Sequence, residues 1–319
     1  MTNGRILAST RAKITLSFKV LIVLACLLGP ACAQVVITDS GVTEKEVQTK
    51  EKTKEFSYIQ KRRKISVKST GPVNYGFNYN YTDDPAFKKN IPHLSFPSIG
   101  DSSVGSFGLG LTGGGWYGGG FLGVRVNKRS LHTVVADRIE VVKHEERGIL
   151  DVVWKAKPAE IKARFVFLPG DDKIYTELTF TPREQIDSLE LTMICIPGHW
   201  GRVKPKERWL ATDIRSVSRT EKTASFDLEK ENWILHFDAK DNRVGTCAAM
   251  YLPDQLTKAE AHIGDLITRT NFTLSPDTKK VRMLFWSFPD SYKKPVDAYH
   301  HLKKNQTELL ENLRKFDFE

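Results

Sequence analysis

The sequence predicts an all-β protein, a large antiparallel β-sandwich that ends in one amphipathic α-helix. Apolar and polar residues alternate with the two-residue period of half-buried strands from residue 133 onward. Turn sequences such as Pro-Gly-Asp-Asp at 169–172 separate the alternating runs. No helical pattern lies between the strands, which excludes an alternating α/β fold and predicts about ten to fourteen antiparallel strands.

Individual strands follow from this alternation. Between 161 and 167, Ile161, Ala163 and Phe165 alternate with Lys162 and Arg164, and the same period recurs over 174–180 and 233–238. Residues 281–288 are apolar on both faces, which predicts a central strand that is buried on both sides. A helix is predicted at about 295–316, because Pro295 opens a segment whose apolar residues recur at helical spacing up to Phe316.

The first 33 residues have the pattern of a secretory signal peptide. Basic residues precede the apolar run 20–28, Gly-Pro follows at 29–30, and Ala-Cys-Ala at 31–33 is a small-residue cleavage site. We therefore predict cleavage after Ala33 and a secreted or periplasmic protein. The alternatives are an uncleaved anchor, which Lys19 disfavours by interrupting the apolar stretch, and lipidation at Cys26, which would cut inside the apolar core.

Composition limits the remaining choices. The 319 residues carry a net charge of +10, and 17 Phe and 6 Trp exclude a disordered chain. Residues 34–319 hold 44 Lys and Arg against 38 Asp and Glu, a net charge of +6, which indicates at most a preference for acidic surfaces. The mixed charges of residues 34–63 predict an exposed linker before a β-sandwich domain at 64–319.

Without the leader, Cys195 and Cys247 are the remaining cysteines. Export permits a disulfide between them, while their apolar strand contexts slightly favour two buried free thiols, so both interpretations stay open.

The glycine-rich segment 100–123 contains Gly-x-Gly-x-x-Gly at 108–113, the spacing of a dinucleotide-binding loop. That loop requires a helix directly after it, and the glycines at 113–115 and 118–120 exclude one. Gly-Asp-Ser at 100–102 and Asp-x-x-His at 297–300 match short esterase motifs, but the strand-rich chain lacks the α/β context. The spacing of His and Cys predicts no metal site, and we predict no cofactor.

One surface has the residue types of a ligand-binding site. Tryptophan and tyrosine rings stack on sugars or cations, and Arg and His donate hydrogen bonds to hydroxyl groups and carboxylates. The loop after the strand ending at Ile196 and the glycine-rich segment supply such residues. The candidate ligand-binding residues are His199, Trp200, Arg202, Arg208, Trp209, Trp116 and Tyr117. The alternative is that the tryptophans cap the sandwich and the basic residues are solvated.

The strand rhythm of residues 64–290, with the Pro-Gly-Asp-Asp turn and the Trp-Ser-Phe-Pro strand end at 286–289, resembles the β-supersandwich of galactose mutarotase-like, carbohydrate-handling domains. The resemblance implies contact with sugar on the concave sheet.

Three hypotheses follow: a protein that binds carbohydrate or an anionic extracellular polymer, a carbohydrate-active lyase or epimerase, or a structural protein of the cell envelope. Binding is favoured over catalysis because no motif fixes a catalytic pair. Nucleic acid is not expected as a partner, nor is a membrane span after cleavage, and the oligomeric state is open.

Overall fold

A computed structural model describes residues 34–51, 53–69, 74–90, 109–112, 115–131, 134–144, 146–198, 207–240, 246–265, 267–288 and 295–319. The predicted signal peptide lies outside these residues.

The described residues form three antiparallel sheets. The first sheet contains, in spatial order, β1 (Val36–Glu51), β2 (Lys54–Lys68), β3 (Asn74–Tyr81) and β4 (Leu109–Thr112). The second contains nine strands in the order β13 (Ser216–Ser218), β12 (Arg208–Ala211), β15 (Trp233–Asp238), β16 (Cys247–Tyr251), β19 (Lys280–Ser287), β10 (Lys173–Pro182), β9 (Ala159–Phe167), β8 (Gly148–Lys155) and β7 (Arg138–Lys143). The third contains β14 (Thr223–Ser225), β17 (Lys258–Ile263), β18 (Thr268–Leu274), β11 (Leu189–Cys195), β5 (Leu122–Val126) and β6 (Arg129–Ser130). The α-helices are α1 (Pro85–Asn90) and α2 (Pro295–Lys315), and a short 3₁₀-helix spans Pro253–Gln255.

The nine-stranded sheet is buried on both faces. Its inner face contributes residues such as Phe165 and Phe285 to the main core, together with Leu191 of the six-stranded sheet. Its outer face packs against α2 in a second core that includes Trp286 and Leu302. The all-β prediction, the central strand near 281–288 and the C-terminal helix are therefore confirmed. No described helix is long and apolar enough to cross a membrane.

The region that the charge pattern assigns to a linker is a long β-hairpin, which corrects the boundary at residue 63. Strands β1 and β2 pair from Val36↔Lys68 to Glu51↔Lys54. Only the base is anchored in the main core, by residues such as Ile37 and Ile65, while the distal part of β1 is mostly exposed. The distal part of β2 instead packs Tyr58 and Phe56 with Phe87 of α1 in a small separate cluster, and the charged residues around them conceal this apolar pattern in the sequence.

The glycine-rich segment is also not one continuous loop. Residues 109–112 form β4, which pairs with β3, and residues 115–121 lead into β5. Gly115 has a φ of +77°, a left-handed conformation that favours glycine. Residues 100–108 and 113–114 lie outside the described residues.

Candidate functional site

The structure separates the predicted binding residues. His199, Trp200 and Arg202 lie outside the described residues, so their role stays a prediction. Trp116 is 5% exposed and packs edge-on against Phe285, with ring centroids 5.3 Å apart. Trp116 therefore belongs to the core, as in the alternative in which tryptophans cap the sandwich.

Tyr117 follows Trp116 and is half-buried. Its backbone N–H donates to the carbonyl oxygen of Ile194 at 3.3 Å, which ties the glycine-rich segment to the end of β11. Among the described residues, these two aromatic residues do not form an open platform with the other candidates.

Arg208 and Trp209 are neighbours on β12 rather than loop residues, and they face opposite sides of the sheet. Arg208 lies opposite Asp238 on β15 and faces the interior of the sandwich. Trp209 lies opposite Phe237 and faces the outer side, the side of the second core. One strand thus sends its two predicted binding residues to two different places.

On the inner side lies the inner polar cluster, which we define as Arg208, His236, Asp238 and Thr246. Each of the four is at most 2% exposed. Nε and Nη1 of Arg208 and both ring nitrogens of His236 make no hydrogen bond among the described residues. Burial lowers the pKa of Arg208, an effect that the nearby Asp238 partly offsets, and burial lowers the pKa of His236 to about 3.

The inner polar cluster is costly to the fold. A buried polar group without a partner destabilises the folded state by about 1–3 kcal/mol, and more if it is charged. The cluster lies at the start of β12, at the end of β15 and directly before β16, but its four side chains expose almost no surface. We therefore treat it as a stability feature and not as the ligand site.

On the outer side, β12, β13 and β15 meet the first turn of α2 around an open groove of about 530 Å³. We call it the outer aromatic groove. Its lining residues are Ala211, Ser216, Leu235, Phe237, Ala239, Pro295, Val296 and Tyr299. Its size falls within the range of small-molecule sites, which are mostly apolar with a few polar groups.

Strand register explains why these side chains share one face. Ser218, Trp209 and Phe237 lie side by side across β13, β12 and β15. The next row on the same face contains Ser216, Ala211 and Leu235. Because directly paired residues of antiparallel strands point to the same side, the two rows place Trp209 beside the groove and two serines at the sheet edge.

Tyr299 is the groove residue that α2 contributes, and its position is fixed from several sides. Its hydroxyl group donates to the carbonyl oxygen of Asp213 at 3.3 Å. Its ring lies edge-on to Trp233 with centroids 5.6 Å apart, and the ammonium group of Lys303 lies 5.8 Å from the ring centroid. A ring held in this way loses little further conformational freedom when a ligand stacks on it.

Two other cavities lie among the described residues. One, of about 540 Å³, lies near the hairpin tip and is lined by polar residues and by Phe56. The other, of about 260 Å³, is a charged cleft on strands β9, β10 and β19 that contains residues 316–319. The outer aromatic groove differs from both because none of its lining residues is charged and most of them are apolar. No group of His, Cys, Asp and Glu side chains in the described ranges is suited to a metal ion.

The sequence singled out Trp209 but missed Phe237 and Tyr299. Phe237 lies in a strand whose alternation was recognised, so its face could be assigned from the sequence. Its neighbour in space, Tyr299, lies in a helix 62 residues later in the chain. No local motif indicates that the first turn of this helix lies against the edge of the sheet.

No family model and no curated protein matches the sequence. Among solved structures, the chain is similar to a TPR-domain containing protein from Parabacteroides distasonis, with 7% identity and a TM-score of 0.47 over 80% of this chain and 55% of that one. It is also similar to a candidate aldose 1-epimerase from Klebsiella pneumoniae, with 9% identity and a TM-score of 0.44 over 88% and 97% of the two chains. An alpha-mannosidase from Enterococcus faecalis matches with 7% identity and a TM-score of 0.46 over 93% and 42%.

The chain thus spans about half the length of the first and third of these proteins. Two of the three have the names of carbohydrate enzymes, and the weak resemblance to galactose mutarotase-like sandwiches is confirmed. Similarities at this level do not extend to the function of this chain.

Proposed function

We propose that this protein binds carbohydrate in the outer aromatic groove. The observation that carries the proposal is the pair of ring side chains, Phe237 and Tyr299, that line an open groove with an apolar floor. Trp209 lies beside Phe237 in register and extends this aromatic surface.

The groove matches the two kinds of surface on a sugar ring. The faces of a sugar ring carry C–H groups that pack on aromatic rings, and its rim carries hydroxyl groups that need hydrogen-bond partners. Here the rings line the groove, while the Ser216 hydroxyl lies in the lining and Ser218 lies beside Trp209 at the sheet edge. Aromatic and hydroxyl side chains therefore lie on one face, as a sugar requires.

The lining favours a neutral glycan over an anionic polymer. None of the eight lining residues is charged. Lys303, whose ammonium group lies over the Tyr299 ring, is compensated by Asp213, with Nζ and a carboxylate oxygen 3.4 Å apart. The lining also contains no carboxylate, imidazole or thiol, so it supports binding rather than turnover and gives no support to the lyase or epimerase hypothesis.

The proposal includes export, so that the groove meets extracellular or periplasmic glycans. The pattern of the leader supports export. N-terminal sequencing of the protein recovered after export is expected to begin at Gln34, and an intact Met1 terminus would contradict this part of the proposal.

Affinity gel electrophoresis tests the binding proposal. Gels cast with soluble neutral polysaccharides, such as xylan, galactan or a β-glucan, are compared with gels that contain polygalacturonate. We expect at least one neutral polysaccharide to retard the protein. The substitutions Phe237→Ala and Tyr299→Ala should each weaken the affinity behind this retardation by roughly 5- to 30-fold, because loss of one stacked ring removes about 1–2 kcal/mol of binding.

Phe56→Ala is the matched control, since Phe56 is an aromatic residue that lines the other large cavity. This variant should run as the unchanged protein does. A protein that no polysaccharide retards, or retardation that survives both groove substitutions, would overturn the proposal and favour a structural role in the envelope.

A further inference from the structure

Four consecutive basic residues, 61–64, lie on β2, and the alternation of a strand divides them between its two faces. Lys61 and Arg63 point to one side, where each forms an ion pair with an aspartate at 2.6 Å. Arg62 and Lys64 point to the other side of the sheet. The two sides therefore differ in how their charges are compensated.

The register with β3 places an asparagine opposite each of three basic residues on this second side. We call the six residues the basic face, and its pairs are Arg62↔Asn80, Lys64↔Asn78 and Lys68↔Asn74. Directly paired residues of antiparallel strands point to the same side, so the cations and the amides share one surface. Lys64, Lys68 and Asn74 are exposed, and the other three are half-buried.

The surroundings of the basic face add hydroxyl groups and no negative charge. On β1, Thr38 lies opposite Ser66, and Thr43 lies opposite Arg62. The guanidinium group of Arg62 donates to the neutral side chain of Gln60. Among the described residues that point to this side over 38–45, 60–68 and 74–80, none is acidic. The positive charge of the basic face is therefore not compensated within the sheet.

The sheet holds the basic face as a firm platform. On the opposite side of the same strands, Ile65 of β2 and Phe77 of β3 are buried in the main core. With a rise of about 3.3–3.4 Å per residue, Arg62 and Lys64 are about 7 Å apart along β2, and Lys64 and Lys68 are about 13 Å apart. Cations in a row of this length suit a polymer whose negative charges repeat better than a single small anion.

We propose that the basic face binds an acidic polysaccharide, a chain of sugars that carry carboxylate or sulfate groups. Arginine and lysine donate charge-assisted hydrogen bonds to such groups. The amide of asparagine both donates and accepts hydrogen bonds, as a sugar hydroxyl group requires. An acidic polypeptide offers negative charge without hydroxyl groups, so the asparagines opposite the basic residues favour the polysaccharide. The basic face and the outer aromatic groove lie on different sheets, so this binding does not depend on the proposed function.

Affinity gels cast with polygalacturonate and run at low salt test the charge of the basic face. The combined variant Arg62→Gln, Lys64→Gln and Lys68→Gln should bind polygalacturonate roughly tenfold more weakly, because three exposed cation contacts are lost. If this variant fails to fold, Lys64→Gln and Lys68→Gln are tested singly, and each should weaken binding about twofold.

A matched control removes the same charge elsewhere. The combined variant Lys128→Gln, Lys222→Gln and Lys279→Gln changes three exposed lysines outside the four-stranded sheet. Its affinity for polygalacturonate should fall by less than about twofold, since salt screens charges that do not touch the polymer. Equal weakening by the two combined variants, or an unchanged protein that polygalacturonate does not retard, would overturn the proposal.

The double substitution Asn78→Ala with Asn80→Ala keeps the charge and tests the recognition of sugar. It should weaken binding to polygalacturonate roughly fivefold, because hydrogen bonds to hydroxyl groups are lost, and leave binding to polyglutamate unchanged. No effect on binding to polygalacturonate would contradict the assignment to a polysaccharide. Vesicles of phosphatidylglycerol that bind more tightly than polygalacturonate would also contradict it and assign the basic face to a lipid surface.

Discussion

At the scale of single residues, His236 is the most unusual side chain of the described fold. It is fully buried between the sheets, neither ring nitrogen has a hydrogen-bond partner among the described residues, and its pKa is lowered to about 3. The folded protein therefore keeps the His236 imidazole neutral at pH values well below the usual pKa of histidine.

The substitution His236→Leu should change how stability depends on pH. The usual pKa of histidine is 6.5, so below about pH 6.5 the unfolded chain binds a proton that the folded chain does not bind. The free energy of unfolding therefore falls as the pH decreases from 6.5 toward 3. For the unchanged protein, His236 should account for a loss of about 2 kcal/mol between about pH 7.5 and pH 5, and the variant should lack this loss.

Urea denaturation of both proteins at the two pH values measures the difference. Near pH 7.5 the variant should be about as stable as the unchanged protein or slightly more stable, because a buried polar group without a partner has been removed. His144→Leu, at an exposed histidine, is the control and should leave the pH dependence as it is. Parallel stability curves for His236→Leu and the unchanged protein would contradict the assignment.

At the scale of elements, the segment after α2 fastens the chain to the outer face of the nine-stranded sheet. Arg164 donates through Nη1 to the carbonyl oxygen of Phe318 at 2.7 Å, and Arg147 donates through Nη1 to that of Asp317 at 3.1 Å. Arg282 lies 4.9 Å from the ring centroid of Phe318, which is 3% exposed. Arginine side chains of the sheet thus bind the backbone carbonyl groups of residues 317 and 318 and contact the Phe318 ring.

Phe318→Ala should destabilise the protein by about 3 kcal/mol in urea denaturation, because truncating a buried Phe removes apolar burial and leaves a cavity. Asp317→Ala is the matched control at the adjacent position. Its side chain is 70% exposed and forms a surface ion pair with Arg147 at 3.7 Å. Because exposed ion pairs contribute little to stability, the substitution should destabilise the protein by about 0.5 kcal/mol or less. Equal effects of the two substitutions would show that the Phe318 ring is not part of the second core.

Elements with one buried face could be predicted from the sequence, and others could not. β9 shows its buried Ile161, Ala163 and Phe165 as an alternation, and the apolar spacing of α2 gave its bounds within one residue. The β1–β2 hairpin was missed, because Glu44 opposite Lys61 and Lys50 opposite Glu55 stabilise strands by cross-strand charge pairs, which local sequence shows only as mixed charge.

At the scale of the whole molecule, the candidate site depends on contacts that are distant in the chain. Trp209 was recognised by residue type, but Arg208 beside it faces the interior because successive residues of a strand alternate. Tyr299 reaches the groove because α2 covers the outer face of the large sheet, a packing choice that no local pattern encodes. The sequence thus predicts which residues are aromatic and in strands, while the tertiary packing decides which of them share a groove.

The net charge of the molecule allows the two classes of polymer to be told apart. Residues 34–319 carry +6, which attracts any anionic polymer over long range, whereas the outer aromatic groove has no charged lining residue. Charge attraction between exposed groups is screened by salt, with a screening length of roughly 3–4 Å in 0.5–1 M NaCl, while apolar stacking is not.

In about 0.5–1 M NaCl we therefore expect the retardation by a neutral polysaccharide to persist and any retardation by polygalacturonate to disappear. Tyr299→Ala should weaken the first and leave the second unchanged. If the only retardation observed is removed by salt and is insensitive to Tyr299→Ala, the partner is an anionic polymer attracted by overall charge, and the groove is not its binding site.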